Sequence, residues 1–320
     1  MNIPRDPGSV PLTVEPEVAK EYHKRRRANS IAWQPRQITA DRYRIYELLE
    51  AGELLIGGPE ADYIEGVAQK DNDILEILGN SALSLITAEH ATTQIRVEDD
   101  GTKKEKENDA GTGSLAIVVG KETNSYVLVA IGRQTGDPNN DDTHPFKSNI
   151  ANVIESNPQM RAFFSLHGMS RAKGADFLDK QGFAVIVGIG DKPSPATKAL
   201  VDELDIVAKD LGLRLGINQK FLDFSTKNWQ PILDKNGLVK RKVFESPWYT
   251  TRGYAQAVLA EQERVEAFTA VQMELSSAIR HTQADLRKAI FPDLESQVIG
   301  AALGYHFVRR AVGSVALLGG

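Results

Sequence analysis

SALSLITAEHATT, residues 81–93, is the stretch around which the rest of the chain is organised. It contains an apolar run over residues 83–88, which predicts a short buried strand. The run ends in Glu89-His90, followed by small and polar residues. Because ligands of open α/β sheets bind beyond the carboxyl ends of strands, His90 is a candidate metal ligand. A lone histidine there is more often structural, but the arrangement recurs at His167, which follows the apolar run AFFSL.

Length and composition are those of an ordinary globular protein. The 320 residues are 41% hydrophobic and 25% charged, which is enough chain for a large core. The net charge of -5 gives no argument for a nucleic-acid partner. Cysteine is absent, so any metal site must use His, Asp or Glu. The start of the sequence lacks an apolar signal segment and no apolar run reaches about 18 residues, so we expect a soluble, cytoplasmic protein without membrane contact. The oligomeric state stays open.

Apolar runs alternating with helical patterns predict an α/β fold, in which a mixed central sheet is flanked by helices. We expect strands over residues 83–88, 126–131, 162–166, 183–189, 213–217 and 268–275. We expect helices over residues 113–120, 148–155, 195–211 and 253–266. Residues 97–107, VEDDGTKKEKE, are predicted to be a charged surface loop.

Three parts of the chain differ in composition and in predicted secondary structure. Residues 1–78 are polar with little strand character and are predicted to form a helical N-terminal extension. Residues 79–285 form the predicted catalytic α/β domain. Residues 286–320 are predicted to form a helical C-terminal tail, which is rich in apolar and small residues.

Polar residues at the ends of the predicted strands form a set typical of zinc hydrolases. Two neutral imidazoles and one carboxylate commonly hold a catalytic zinc ion and keep one position for water. Zinc lowers the pKa of that water toward about 7, and a further carboxylate can take its proton. An arginine can stabilise the oxyanion. The chain offers such residues in His90, Asp109, Arg133, Asp137, Asn139, His167 and Glu274.

The order of the motifs around these residues resembles the N-formylglutamate amidohydrolase family, a zinc-dependent branch with a carboxypeptidase-like fold. The matching motifs are Glu89-His90-Ala91, Asp109-Ala110-Gly111, the block of Arg133, Asp137 and Asn139, Leu166-His167-Gly168, and Gln272-Met273-Glu274. The resemblance runs from about residue 83 to residue 280. It leaves out residues 1–78 and the C-terminal tail.

The resemblance implies roles for individual residues. His90, Asp109 and His167 would hold one zinc ion, and Glu107 is the alternative carboxylate ligand. Asp109 would otherwise cap the helix that follows it. The resemblance also implies Glu274 as general base, where the alternative is a solvent-facing strand residue.

The resemblance further implies that Arg133 contacts the substrate or its oxyanion. One residue of this sequence differs from the family's motif, and the difference concerns the substrate. Asn140 stands where family members have an arginine, whose guanidinium fork suits a substrate carboxylate. This difference indicates an amide substrate other than N-formylglutamate. We expect the substrate pocket to include Asp137, Asn139, Asn140, Arg171 and Arg252.

The sequence therefore predicts a zinc-dependent hydrolase of an amide C–N bond. Its substrate would be an N-acyl amino acid, a related small molecule or a short peptide. Two alternatives stay open, namely a carboxypeptidase and a catalytically silent relative that binds a ligand in the same cleft.

Overall fold

The computed structural model describes residues 74–79, 83–97, 100–106, 108–109, 111–131, 133–168, 184–189, 193–213, 215–217, 220–223, 228–231, 251–261, 264–276, 279–280 and 293–315. The strands are β1 (Ile74–Ile77), β2 (Ser84–Ala88), β3 (Gln94–Val97), β4 (Lys103–Lys106), β5 (Tyr126–Ala130), β6 (Gln134–Thr135), β7 (Ala162–Gly168), β8 (Val185–Gly188), β9 (Leu215–Ile217), β10 (Lys220–Asp223), β11 (Asn228–Pro231) and β12 (Thr269–Leu275). The α-helices are α1 (Thr112–Thr123), α2 (Pro145–Ser156), α3 (Pro195–Asp210), α4 (Thr251–Glu261) and α5 (Asp293–Ser314), and a 3-10 helix spans Val265–Ala267.

A nine-stranded sheet with the order β1-β5-β2-β7-β12-β8-β9-β10-β11 forms the centre of the fold. Strands β5, β2, β7 and β12 run parallel to one another, so their carboxyl ends meet at one edge. Strand β8 is antiparallel to β12, and β1 is antiparallel to β5 at the sheet margin. The mixed sheet predicted from the sequence is confirmed. A second sheet, with the order β4-β3-β6, lies in the connections beyond these carboxyl ends.

Helices cover both faces of the central sheet, which explains why its inner strands are buried and largely apolar. Alternate side chains of β7 enter two separate cores, as Phe163 and Phe164 illustrate. The core that contains Phe164 is shared with residues of α1, α3 and α5. The core that contains Phe163 is shared with residues of α2 and α4. Burial of both phenylalanines is complete, so each contributes about 2–3 kcal/mol of transfer free energy.

Helix ends follow their capping residues more than the apolar pattern. Helix α2 begins at Pro145, three residues before the predicted start, because the Nδ1 atom of His144 accepts a hydrogen bond from the backbone N–H of Phe146 and proline suits the first turn. Helix α3 begins at Pro195 as predicted, and the Ser194 hydroxyl caps it. The predicted helix over residues 253–266 is too long, since α4 ends at Glu261.

Two predictions about local structure are wrong. Residues 97–107 are not simply a loop, because Lys103–Lys106 forms β4 and pairs antiparallel with β3. All four residues of β4 are exposed and backbone hydrogen bonds pair it with β3, so no apolar pattern marks β4. The prediction that the extension is helical as far as residue 78 is also wrong, because Ile74–Ile77 forms strand β1, which pairs with β5. Residues 1–73 lie outside the described residues, and the domain boundaries stay a prediction. Within the described part of the chain, no helix combines the length and apolarity needed to cross a membrane.

Candidate metal centre

Three neighbouring strands change from apolar to polar on one face as they approach their carboxyl ends. On β2 the side chains that face α2 and α4 are Leu85, then Thr87, and the strand is followed by Glu89 on the same parity. On β7 the corresponding side chains are Phe163, Ser165 and His167, and on β12 they are Ala270, Gln272 and Glu274. The parallel register places Thr87 beside Ser165 and Ser165 beside Gln272. A buried polar site therefore lies at this edge of the sheet.

Two histidines and one aspartate converge at the centre of that site. The Nδ1 atom of His90 lies 3.4 Å from Asp109 Oδ2, and His167 Nδ1 also lies 3.4 Å from Asp109 Oδ2. The two Nδ1 atoms are 3.2 Å apart. All three side chains are buried or nearly so. These three residues form a group that could hold a metal ion, and the three ligand atoms predicted from the sequence are brought together.

The loop after β4 delivers Asp109 to the histidines. The backbone N–H of Asp109 donates to the carbonyl of His90 at 2.7 Å, and the Asp109 carbonyl accepts from Thr112 at 3.1 Å. The N-cap of helix α1 is Gly111, whose φ of 89° suits glycine. The alternative role of Asp109 as a side-chain cap is therefore wrong. The alternative ligand Glu107 lies outside the described residues.

His90 is held from behind by Asp137. The Nε2 atom of His90 lies 2.9 Å from Asp137 Oδ1, so the ionised carboxylate accepts a hydrogen bond from the Nε2–H group. This leaves the lone pair of Nδ1 directed at the cluster. The other carboxylate oxygen of Asp137 lies 2.8 Å from Arg96 Nη2. Carboxylate–histidine pairs of this kind orient metal ligands in proteins.

Two buried residues, Ser165 and Glu89, contact the Nε2 atom of His167, which faces away from the cluster. Its Nε2 atom lies 2.9 Å from the hydroxyl oxygen of Ser165, which donates to Glu89 Oε1 at 2.9 Å. Glu89 Oε2 lies 3.5 Å from the same Nε2 atom. The Nδ1 atom of His167 is therefore also directed at the cluster with its lone pair. In the neutral form of each imidazole, the single proton therefore lies on the nitrogen that faces away from Asp109.

The geometry of the three ligand atoms fits a metal ion. A tetrahedral zinc ion with bonds of about 2.0–2.1 Å separates its ligand atoms by about 3.3–3.4 Å. The observed separations are 3.2, 3.4 and 3.4 Å. Three acceptor atoms at such distances repel one another unless a cation or a proton lies among them. The donor set of two imidazoles and one carboxylate suits zinc, iron and related divalent metals.

Protonation of the same atoms shows how strongly the cluster attracts positive charge. Burial lowers the pKa of His90, but hydrogen bonds and charges of Asp109 and Asp137 outweigh it and raise this pKa to about 10. Burial raises the pKa of Asp109, but the hydrogen bonds from His167 and His90 outweigh it and hold this pKa well below its usual range. Positive charge on the two histidines therefore stabilises the ionised form of Asp109.

Glu274 lies beside the candidate ligands without being one of them. It sits opposite His167 in the register of β12 and β7, and its Oε1 atom accepts a hydrogen bond of 2.8 Å from Gln272. Burial raises the pKa of Glu274, although the charge of His167 opposes this effect. The alternative of a solvent-facing strand residue is wrong, because Glu274 belongs to the polar end of the interior face.

The structure does not bring Arg133 to the cluster. Its side chain is 52% exposed and its Nη2 atom lies 3.6 Å from Glu105 of strand β4. The predicted contact with an oxyanion therefore has no support from the described contacts. Another arginine, Arg280, is buried, and its Nε atom donates to the carbonyl of Leu275 at 3.0 Å. A Cβ on Gly168, which follows His167, would lie 2.2 Å from Arg280 Cζ.

The predicted substrate residues are only partly described. Asp137 is buried against His90, and its Oδ1 accepts from the backbone N–H of Asn139 at 3.0 Å. The side-chain amide of Asn140 donates to Asp137 Oδ2 at 2.9 Å. These bonds give Asp137 and Asn140 a supporting position behind His90, and contact with a substrate stays a prediction. Arg171 lies outside the described residues, and only the backbone of Arg252, in α4, is described.

Several residues of the site were not selected from the sequence. Glu89, Ser165 and Arg96 all belong to the hydrogen-bonded surroundings of the histidines. For Glu89 and Ser165 a pattern existed, because each lies two residues from another polar residue within an apolar strand, in Thr-x-Glu and Ser-x-His. For Arg96 no pattern existed, because it lies on β3, a short strand of the second sheet that was not predicted from the sequence.

The comparisons with known proteins assign the chain to no family. No protein-family model matches the sequence, and no curated protein matches it. Among solved structures, N-formylglutamate amidohydrolase from Ralstonia eutropha JMP134 is similar with 10% identity and a TM-score of 0.45, over 75% of this chain and 97% of that chain. Purine nucleoside phosphorylase from Toxoplasma gondii in complex with immucillin-H is similar with 8% identity and a TM-score of 0.30, over 74% of this chain and 92% of that chain. Neither similarity assigns a function, which has to come from the residues of the site.

Proposed function

We propose that the protein is a zinc-dependent hydrolase that cleaves an amide C–N bond. The observation that carries this proposal is the convergence of His90 Nδ1, His167 Nδ1 and Asp109 Oδ2 at separations of 3.2–3.4 Å. The order of the sequence motifs, which resembles that of N-formylglutamate amidohydrolases, supports the choice of an amide bond.

The zinc ion would be held by His90, His167 and Asp109. Asp137 would orient the imidazole of His90, and Glu89 that of His167, each at the Nε2 atom that faces away from the ion. The chemistry that a bound zinc ion supplies is the activation of water and of the substrate carbonyl. Glu274 would take the proton of the attacking water and pass it to the departing nitrogen. Its raised pKa suits this exchange, because a general base works best when its pKa approaches the operating pH.

The proposed substrate is an N-acyl amino acid or a related small amide. Asn140 has no charge to bind a substrate carboxylate, and its amide is engaged by Asp137 at 2.9 Å. We therefore expect poor activity on N-formylglutamate compared with some other amide. A short peptide substrate, and a silent protein that binds a ligand at the same site, are the competing proposals.

Metal analysis and a substrate panel test the proposal together. The purified protein should contain about one zinc ion per chain. His90→Ala, His167→Ala and Asp109→Asn should lose the metal while remaining folded, and Asp100→Asn, which changes an exposed carboxylate, should keep it. Full metal occupancy in any of the three site variants would show that the ligand set is misassigned.

The panel should contain N-formylglutamate, other N-acyl amino acids and short peptides. Metal-dependent hydrolysis of at least one N-acyl amino acid is the expected result. A kcat/KM of about 10⁴ M⁻¹s⁻¹ or more on N-formylglutamate would refute the substrate preference. A zinc-loaded protein that hydrolyses none of these compounds would favour the silent ligand-binding alternative.

A further inference from the structure

Glu89 is a carboxylate with no solvent exposure, placed one residue before a candidate metal ligand. A buried carboxylate is costly unless hydrogen bonds or an opposite charge compensate it. Its Oε1 atom accepts hydrogen bonds from the hydroxyls of Thr87 and Ser165. In the described part of the chain, its Oε2 atom has no hydrogen-bond partner, and it lies 3.5 Å from Nε2 of His167. The charge of Glu89 is therefore directed at the outer edge of that imidazole.

The hydrogen bonds between Glu89 and His167 have a fixed direction. An ionised carboxylate only accepts, so the single hydroxyl proton of Ser165 goes to Glu89 Oε1 at 2.9 Å. The Ser165 oxygen is then left to accept from His167 Nε2 at 2.9 Å. The proton of the neutral imidazole consequently sits on Nε2. The lone pair of Nδ1 is left free for the cluster formed with His90 and Asp109.

We propose that Glu89 is a positioning residue for His167, and that it acts through Ser165. Its negative charge selects the tautomer in which Nδ1 can bind a cation, and it balances the charge of that cation across the imidazole. Glu89 touches the ring on the side opposite Nδ1, so it does not contact the reacting atoms. This inference rests on the proposed metal-dependent function.

The supports of the two histidines are chemically different. Asp137, behind His90, is neutralised by Arg96 at 2.8 Å and accepts from the backbone N–H groups of Asn139 and Asn140. No cation accompanies Glu89 in the described part of the chain. The charge of Glu89 is thus compensated chiefly by the His167 side of the site. Removing this charge should therefore lower the affinity for the metal.

Zinc affinity of the full chain, measured by competition with a chromophoric chelator, tests the proposal. Glu89→Gln keeps the shape but removes the charge, and an amide N–H₂ group would oppose the Nε2 proton. We expect the dissociation constant for zinc to rise about 10–100-fold, as is usual for outer partners of a metal-bound histidine. Glu155→Gln, the same change at an exposed position of α2, is the control.

Ser165→Ala separates positioning from general packing. It should weaken zinc binding about as much as Glu89→Gln, and the double variant should be scarcely weaker than either single variant, because both changes break one chain of hydrogen bonds. Thr87→Val removes another donor to Glu89 but leaves Ser165 and His167 linked, so its effect should be smaller. Zinc affinity within about 3-fold of wild type for both Glu89→Gln and Ser165→Ala would overturn the proposal. Equal weakening by Thr87→Val would do the same.

Nitrogen-15 NMR of the histidine side chains in the zinc-loaded wild type gives a test that needs no variant to fold. The imidazole of His167 should show a directly bonded proton on Nε2 and none on Nδ1. A proton on Nδ1 would overturn the proposal. Failure of the proposed function is distinct, because the wild-type chain would then bind no zinc, whereas failure of the Glu89 role leaves wild-type zinc binding intact.

Discussion

Glu274 lies directly opposite His167 in the parallel register of β12 and β7, so a candidate proton carrier and a candidate metal ligand sit side by side on neighbouring strands. The same register places Gln272 opposite Ser165, and Gln272 donates to Glu274 at 2.8 Å. Sheet geometry alone therefore fixes the relative positions of a carboxylate and an imidazole that are far apart in the sequence. This arrangement leads to the first prediction.

Replacing Glu274 by Gln should remove catalysis while leaving the metal in place. The change keeps the shape and removes the basicity, so kcat should fall by at least about 10² while zinc content and unfolding temperature stay near wild type. Glu266→Gln, an exposed position just before the same strand, serves as the control. Loss of zinc would instead make Glu274 a ligand, and a near-normal kcat would make it structural.

The pH dependence of the wild type provides an internal check on that assignment. Burial raises the pKa of Glu274 above its usual value, and a general base must be deprotonated to act. Activity should therefore rise with pH through an acid limb centred above about 4.5, the usual range for glutamate. The limb should disappear from the residual activity of Glu274→Gln.

Zinc binding should release protons at neutral pH. The pKa of His90 is raised to about 10, so without a metal ion the imidazole keeps its proton at pH 7–8. The protonated His90 imidazole stabilises the folded, metal-free protein. This stabilisation is fully present below the pKa of about 6.5 that the histidine has in the unfolded chain, and is lost as pH rises through about 10. A zinc ion must displace that proton, so zinc affinity should rise with pH by up to about tenfold per unit.

Isothermal calorimetry in two buffers of different ionisation enthalpy measures that release. At least about one proton should leave per zinc ion bound. Asp100→Asn, at an exposed position outside the cluster, should behave like the wild type. Zinc uptake with no proton release would contradict the assignment of His90 as a ligand.

Arg96 and Arg133 should respond differently to replacement by alanine. Arg96→Ala loses the 2.8 Å ion pair with Asp137, so zinc affinity should fall about 10-fold, because the support of His90 is weakened. Arg133→Ala removes only a largely exposed contact with Glu105, so zinc affinity and kcat/KM should change by less than about twofold. A loss of kcat of about 10² in Arg133→Ala, with zinc retained, would restore its predicted role at the oxyanion.

Two glycines of helix α5 should differ in their tolerance of alanine. A Cβ on Gly304 would lie 2.1 Å from the carbonyl oxygen of Ile279, whereas a Cβ on Gly313 would meet nothing within 4 Å. Gly304→Ala should therefore lower the free energy of unfolding by about 1–3 kcal/mol. Gly313→Ala should raise it by about 0.5 kcal/mol, because alanine loses less backbone entropy. Denaturant unfolding curves measure both, and equal effects would contradict the close helix contact.

Much of the fold could be predicted from the sequence because the central strands are buried on both faces. Residues 84–88 and 162–168 are fully buried and largely apolar for that reason, and their ends were predictable to within two residues. The pairing of β12 with both β7 and β8 could not be predicted, since periodicity shows which faces are buried but not which strands are neighbours. The β3–β4 pair was missed because all four residues of β4 are exposed, and backbone pairing requires no apolar side chain.

The candidate site was predictable where chemistry coincided with a strand end. His90, His167 and Glu274 each stand at or near the end of an apolar run, and the structure places them together. The predicted contact of Arg133 with the oxyanion has no support, because a position soon after a strand does not fix the direction of a long side chain. Here the side chain lies beside Glu105. The outer partner Arg96 was unpredictable, because it reaches Asp137 from a separate sheet.

The place of β12 in the sheet has a consequence for how the protein is made. It is the last strand along the described chain, yet it lies between β7 and β8 in the middle of the sheet. A nascent chain that has not yet passed Leu275 leaves a long edge of β7 unpaired, and such apolar edges invite association with other chains. Chains that end before Thr269 should therefore accumulate as aggregates in a solubility assay, because synthesis must reach the final strand before the core closes and Glu274 joins the histidines.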